Sequence, residues 1–180
     1  MTAFIRVISY VFLAALLLTG CAQKFYSLDC AAPTATPSVT QRTIDNFARQ
    51  NIILMPKGNY LRIILPADLF FRTNSAALKN NTGSALADLA QLLQGYGNTA
   101  TVQIKGYTDP VASNEEKKML SVARARTIAA SLWAQGLDAN HLYAVGYGDS
   151  SLVGDPNDVS ANAANRRVEI TVQAHCTACF

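Results

Sequence analysis

The residues whose types and spacing suit chemistry lie between Val102 and Arg126, in the stretch VQIKGYTDPVASNEEKKMLSVARAR. A short β-type run, with Val102 and Ile104 alternating, ends in the turn Gly106-Tyr107-Thr108-Asp109-Pro110. Proline keeps the residue before it out of the α region, so the Asp109 carboxylate is expected on a fixed turn at a strand end. Ser113, with Glu116 three residues on, has the spacing of a capping box and predicts a helix start. Arg124 then falls about three turns into that helix, where it can look back over the strand end. One anion and one cation would share a hollow suited to a zwitterionic ligand. A surface turn acid and a solvated helix arginine fit the same spacing equally well.

Other chemistries find no support. The chain has 180 residues, half of them apolar, 15% charged and 8% aromatic, as expected of one globular domain with attachments. Its net charge of +3 is too small and too dispersed for nucleic acid. There is no zinc-type Cys/His spacing, phosphate loop or Gly-x-Ser-x-Gly elbow, so neither a metal nor a cofactor is expected. His141 and His175 have no Cys or Ser partner at a telling spacing and read as surface or structural residues.

The N-terminus reads as an address. Arg6 precedes an apolar run, Val7 to Leu18, too short to span a bilayer but of signal-peptide length. Leu18-Thr19-Gly20-Cys21 matches the bacterial lipobox, so residues 1–20 are expected to be a lipoprotein signal peptide and Cys21 the lipidated residue. Ala22 after that cysteine, by resemblance to bacterial lipoproteins, points to the outer membrane, with the domain in the periplasm. Several acyl chains anchor firmly where one would not. Residues 21–40 are small, Pro-punctuated and aperiodic, the composition of a tether.

The elements that must position Asp109 and Arg124 follow from periodicity. A short helix is expected over Thr43 to Gln50. A hairpin should join Ile52–Met55 to Tyr60–Leu65 through a four-residue loop, Pro56-Lys57-Gly58-Asn59. Phe70-Phe71 close a short extended piece. Asn80 or Asn81 is the expected cap of a helix with Leu86, Leu89, Leu92 and Leu93 at helical spacing, ended by Gly95 and Gly97. The helix bearing Arg124 continues through Ile128, Leu132 and Trp133 to Gly136, and its apolar groups read as core. His141 to Val145 reads as a strand, Gly154 to Ala163 as loop, and Val168, Ile170 and Val172 as a half-buried final strand. The sum is an α+β two-layer sandwich, with two main helices packed on one face of a mixed sheet of about four strands.

Five ordered blocks carry a family resemblance. Gly106-Tyr107-Thr108-Asp109, Leu120-Ser121-x-x-Arg124-Ala125, Gly136-Leu137-Asp138, Val145-Gly146-Tyr147-Gly148 and Asn165-Arg166-Arg167-Val168-Glu169-Ile170 stand in the order and spacing of the OmpA-like C-terminal domain. The domain is assigned to residues 41–174 and a Cys-containing tail to 175–180; the likeness itself covers roughly 50 to 174. The resemblance implies non-catalytic binding of peptidoglycan through the diaminopimelate of its peptide stem. It implies Asp109 on the ammonium and Arg124 on the carboxylate of that residue, with Thr108 and Leu120 at the rim. Arg166 and Arg167 match a family pair and stand either as site residues or as a surface pair at a strand start. Three positions depart from the family pattern: Tyr107 for a histidine, Ala112 for a glycine and Lys117 for an asparagine eight residues after the aspartate.

Three further cysteines, Cys30, Cys176 and Cys179, would meet an oxidising periplasm, where a disulfide is expected. A bridge from Cys30 to either tail cysteine leaves one thiol over, and the sequence does not choose between them. The partners implied are peptidoglycan, the outer membrane through Cys21 and, in a second reading, proteins of an envelope machine such as a type IV secretion system. A wall-cleaving enzyme would need a metal site, a nucleophile with its base, or paired carboxylates, and none is legible.

Overall fold

A computed structural model of the chain describes residues 41–57, 60–97 and 100–173. The expected signal peptide, tether, lipidation site and disulfide candidates Cys21, Cys30, Cys176 and Cys179 lie outside the described residues.

The elements in order are α1 (Gln41–Arg49), β1 (Ile53–Lys57), β2 (Tyr60–Pro66), the single turn α2 (Ala67–Phe70), α3 (Gly83–Gln94) and β3 (Thr101–Tyr107). After these come α4 (Asn114–Ala134), a 3-10 turn (Ala139–His141), β4 (Leu142–Gly146), α5 (Val159–Asn165) and β5 (Arg167–Gln173). The sheet has five strands, one more than expected, in the order β1-β2-β5-β3-β4. All neighbours are antiparallel except β3 and β4. The final strand slots between β2 and β3, so the strand that carries Arg167 runs against the strand that leads to Asp109.

Period-two alternation decides which side chains meet the helices. The register lines up three rows across the sheet on that face: Leu61, Val172, Val102 and Leu142; Ile63, Ile170, Ile104 and Ala144; Leu65, Val168, Gly106 and Gly146. With Leu86, Leu89 and Leu93 of α3, and Ile128 and Leu132 of α4, these residues form the core. Burying each Leu or Ile fully contributes about 1.5–3 kcal/mol.

The third row tapers to two glycines, and this sets the position of α4. A Cβ on Gly106 would collide with the backbone carbonyl of Ser121, and one on Gly146 with the Val122 nitrogen and the Ser121 hydroxyl. The helix therefore sits against bare backbone at the end of the sheet. Ser121 is fully buried there, donating to the Lys118 carbonyl at 2.9 Å and accepting from the Gly148 N–H at 3.0 Å.

Several local expectations need correction. Part of the segment expected as loop, from Val159 to Ala163, belongs to helix α5. Its sequence VSANAAN lacks an apolar stripe, and its order comes from polar groups: Asp158 caps the Ser160 N–H, and Asn165 takes the N–H groups of Val153 and Gly154 at 2.7 and 2.9 Å. The N-cap of α3 is Thr82 rather than Asn80 or Asn81. Ala67–Phe70 is a helical turn, not an extended piece, and Phe71 bridges Leu78. The β1–β2 pairing runs out to Lys57 opposite Tyr60, past the expected end of the first strand at Met55.

Candidate functional site

Strand β3 and helix α4 deliver the two residues singled out by the sequence. Beyond Tyr107 the turn is pinned to the turn after β4, with Thr108 N–H bonded to the Gly148 carbonyl at 2.9 Å and Tyr147 N–H to the Gly106 carbonyl at 2.8 Å. Helix α4 opens with the full capping box: Ser113 Oγ accepts from Glu116 N–H, and Glu116 Oε2 accepts from Ser113 N–H at 3.1 Å. The Ser113 hydroxyl, donating to Glu116 Oε2 at 2.6 Å, and the Ser113 N–H hold the Glu116 carboxyl below its usual range. Turn and helix are thus fixed before any ligand arrives.

A hollow of about 330 Å³ lies between them, lined by Asp68, Phe71, Thr73, Asn74, Asp109, Arg124 and Arg166. Arg124 is 3% exposed. Its Nε donates to the Ser75 carbonyl at 3.0 Å and its guanidinium lies 5.4 Å from the Phe71 ring centre, a cation–π distance. The Ser75 carbonyl is offered by the loop after α2, where Asn74 takes a left-handed φ of 48° that asparagine tolerates. Burial holds the Arg124 pKa below its ordinary value, only partly opposed by the nearby carboxylates of Asp68 and Asp109; a guanidinium keeps its charge throughout.

Arg166 bridges two acids. It grips Asp68 through Nε and Nη2 at 2.9 and 2.6 Å, and its Nη1 holds Asp109 Oδ2 at 2.8 Å. These bonds raise the Arg166 pKa and hold the Asp68 carboxyl below its ordinary value. Asp109 Oδ1 has no partner among the described residues.

A second hollow of about 470 Å³ adjoins the first and shares Asn74 and Asp109 with it. Thr108, Val111, Ala112, Glu116, Lys117, Met119 and Leu120 complete its lining. Among the described residues, two buried side-chain polar atoms lack a hydrogen-bond partner, Thr108 Oγ1 and Arg124 Nη1, and both belong to residues that line these hollows. Buried polar groups are normally satisfied, so such atoms ask for an explanation.

The structure brings Asp109, Arg124, Arg166, Thr108 and Leu120 together, and it sends Arg167 elsewhere. Arg167, first in β5, points to the face opposite the helices, where it pairs with Glu169 Oε1 at 2.8 Å and lies 4.1 Å over the Tyr107 ring. It is buried and lines neither hollow. Tyr107, in the family's histidine position, also stacks on Tyr147 with ring centres 5.4 Å apart, so it acts in packing. Lys117 is buried with its ammonium 2.5 Å from Asp149 Oδ2. Asp68 escaped the sequence reading; its one signal is an acid just after Pro66, at the start of a helical turn. Among the described residues no group of three or more His, Cys, Asp or Glu side chains could hold a metal.

Comparisons with known proteins agree with this fold. The sequence signature of the OmpA family matches residues 70–177. A probable lipoprotein, YiaD, of Escherichia coli K12 is 30% identical over 128 residues, covering 71% of this chain and 58% of that protein. Outer membrane porin F of Pseudomonas aeruginosa is 32% identical over 108 residues, covering 59% of this chain and 31% of the porin. The chain thus spans less than two thirds of either relative. Among solved structures, the cell wall anchor of the type VI secretion system from Pseudomonas aeruginosa superimposes with a TM-score of 0.69 at 27% identity, over 78% of this chain and 100% of that one. The peptidoglycan-associated lipoprotein from Burkholderia pseudomallei gives a TM-score of 0.53 at 25% identity, over 58% and 87%.

Proposed function

We propose, from the premise that the chain belongs to the OmpA family, that its hollow binds the peptide stem of peptidoglycan and catalyses nothing. The group held is the free amino-acid end of diaminopimelate, with an ammonium and a carboxylate on one carbon. Asp109 takes the ammonium through Oδ1, since Oδ2 is engaged by Arg166. Arg124 takes the carboxylate through Nη1, since Nε is engaged by Ser75. Such charge-assisted bonds are short and strong. Two carboxylates and two guanidiniums line the hollow, so a ligand with separated charges and no net charge suits it better than a plain anion or cation.

The observation that carries this reading is the pair of unpartnered buried atoms, Thr108 Oγ1 and Arg124 Nη1. Each costs about 1–3 kcal/mol while unsatisfied, a cost that a ligand acceptor would offset. Two structural neighbours, a cell wall anchor and a peptidoglycan-associated lipoprotein, support the same reading. With lipid on Cys21 and residues 21–40 as tether, the domain would fasten the outer membrane to the wall. Fatty-acid labelling of the chain that persists in Cys21→Ser would remove that anchor. A role inside an envelope machine is a second reading, favoured by the secretion-system neighbour; that neighbour belongs to a type VI rather than a type IV apparatus.

Sedimentation with purified peptidoglycan tests the site. Asp109→Ala and Arg124→Ala are each expected to weaken binding at least roughly 30-fold, because each strands a ligand charge in a half-desolvated hollow, a loss of about 2–5 kcal/mol. The double variant should be little worse, since both contacts serve one zwitterion. Peptidoglycan with lysine in place of diaminopimelate lacks the carboxylate for Arg124 and should bind poorly. Arg126→Ala, at an exposed position on the same helix, should sediment like wild type. Asp109 and Arg124 variants that still sediment normally would overturn the reading.

A further inference from the structure

The second hollow contains a charge that the zwitterion does not use. Its lining is apolar at Val111, Met119 and Leu120 and includes one cation, Lys117. That lysine is 6% exposed, and its backbone is fixed by the first turn of α4, where its N–H bonds to the Ser113 carbonyl at 2.9 Å. An ammonium carries three protons. Among the described residues Asp149 is the one acceptor for Lys117 Nζ, at 2.5 Å, and Asp149 does not line the hollow. Glu116, which does, gives its Oε2 to the Ser113 hydroxyl and N–H and makes no bond to Lys117. Beside Lys117, the buried Thr108 hydroxyl lacks a partner. A buried lysine with donors to spare and a threonine with an unpartnered hydroxyl line one cleft, continuous with the site through Asp109 and Asn74.

Resting on the reading that the first hollow holds diaminopimelate, we propose that Lys117 is a specificity-determining residue. It favours stems with a free carboxylate beside that residue over the same stems carrying a carboxamide there. An ammonium bonds a carboxylate with charge assistance, whereas a carboxamide brings N–H groups that an ammonium cannot accept. Two stem carboxylates have this chemistry: the α-carboxylate of the preceding D-glutamate and the terminal carboxylate of a following D-alanine.

Calorimetric titration of the full-length chain in detergent with four soluble stem peptides tests the proposal. One pair differs only in D-glutamate against its α-amide, the other only in a terminal D-alanine acid against its amide. In one pair, which identifies the carboxylate read, wild type should bind the acid about tenfold more tightly, the worth of one partly solvated charge-assisted bond. Lys117→Met should bring that ratio close to one. Asp149→Asn keeps the cation and removes its competitor, so the ratio should rise; this second variant covers the case in which Lys117→Met does not fold. Equal binding of acid and amide by wild type in both pairs, or an unchanged ratio in both variants, overturns the proposal and leaves the zwitterion site standing. No binding of any of the four peptides overturns both.

Discussion

The charge cluster around Arg167 and the one around Arg166 use the same residue types with different completeness. Around Arg167, Nε meets Glu169 Oε1, Nη2 donates to the Ser151 carbonyl at 3.1 Å, and Nη1 reaches the Asn165 carbonyl at 3.5 Å. The other Glu169 oxygen takes two bonds from Arg62, at 3.0 and 2.6 Å. Both Arg167 and Glu169 are buried, and every group is answered from within the chain. One residue earlier, Arg166 bridges Asp68 and Asp109 at a half-open surface, next to an Arg124 with a buried N–H left over. The closed cluster holds the sheet; the open one holds bonding capacity in reserve. Completeness of hydrogen bonding, rather than charge or burial, separates the closed cluster from the candidate binding site.

The largest way to break this contrast is Arg167→Ala. It leaves Glu169 buried with Arg62 alone, and loss of one partner of a buried pair costs about 3–5 kcal/mol. Chemical denaturation should show that loss, while peptidoglycan sedimentation stays normal at temperatures where the variant is folded. Intact stability with lost sedimentation would reverse the two roles. Asp68→Asn should do the opposite on a smaller scale. The Asp68–Arg166 pair is well exposed and so contributes about 0–1 kcal/mol to stability, but without the grip Arg166 moves freely beside Asp109, and stem binding should weaken by about tenfold, one charge-assisted bond's worth. Unchanged affinity in a titration would remove Asp68 from the site.

The smallest effect sharpens the contrast through pH. Burial pushes the Glu169 carboxyl up, but the bonds from Arg167 and Arg62 outweigh it, and the group ends below its ordinary value of 4.5. A carboxyl depressed in the folded state adds stability that is complete above its unfolded pKa and disappears as pH falls through the folded one. Thermal melts should therefore lose ground progressively below about pH 4.5. Asp68 is depressed as well, and Asp68→Asn removes only its share. A melting temperature in Asp68→Asn that no longer responds to acid would deny Glu169 this part.

Legibility in the sequence follows the same division. Asp109, Arg124 and the Ser113–Glu116 cap were readable because each rests on a local rule: proline restriction, helical spacing, a four-residue capping pattern. The core strands were readable from alternation. The separate fates of Arg166 and Arg167 were not, because they depend on where α5 ends and β5 begins, and that boundary is set by pairing with β2 and β3. Helix α5 stayed hidden because its order comes from the Asn165 amide network rather than from an apolar face. Asp68 was hidden by distance: its partner lies 98 residues away in the chain.

The placement of β3 has a mechanical consequence. From Thr101 to Tyr107 it is paired along its whole length with β5, and from Val102 to Gly106 with β4. The hydrogen bonds of such ladders run across the strands. A pull transmitted through a ligand at Asp109 acts along β3, so it loads both ladders in shear, all rungs together, instead of peeling them one at a time. Helix α4, seated on Gly106 and Gly146, shares that load at its Ser121 contact. A domain that tethers one surface to another under turgor or motion would gain from gripping its ligand at the end of a strand held on both edges.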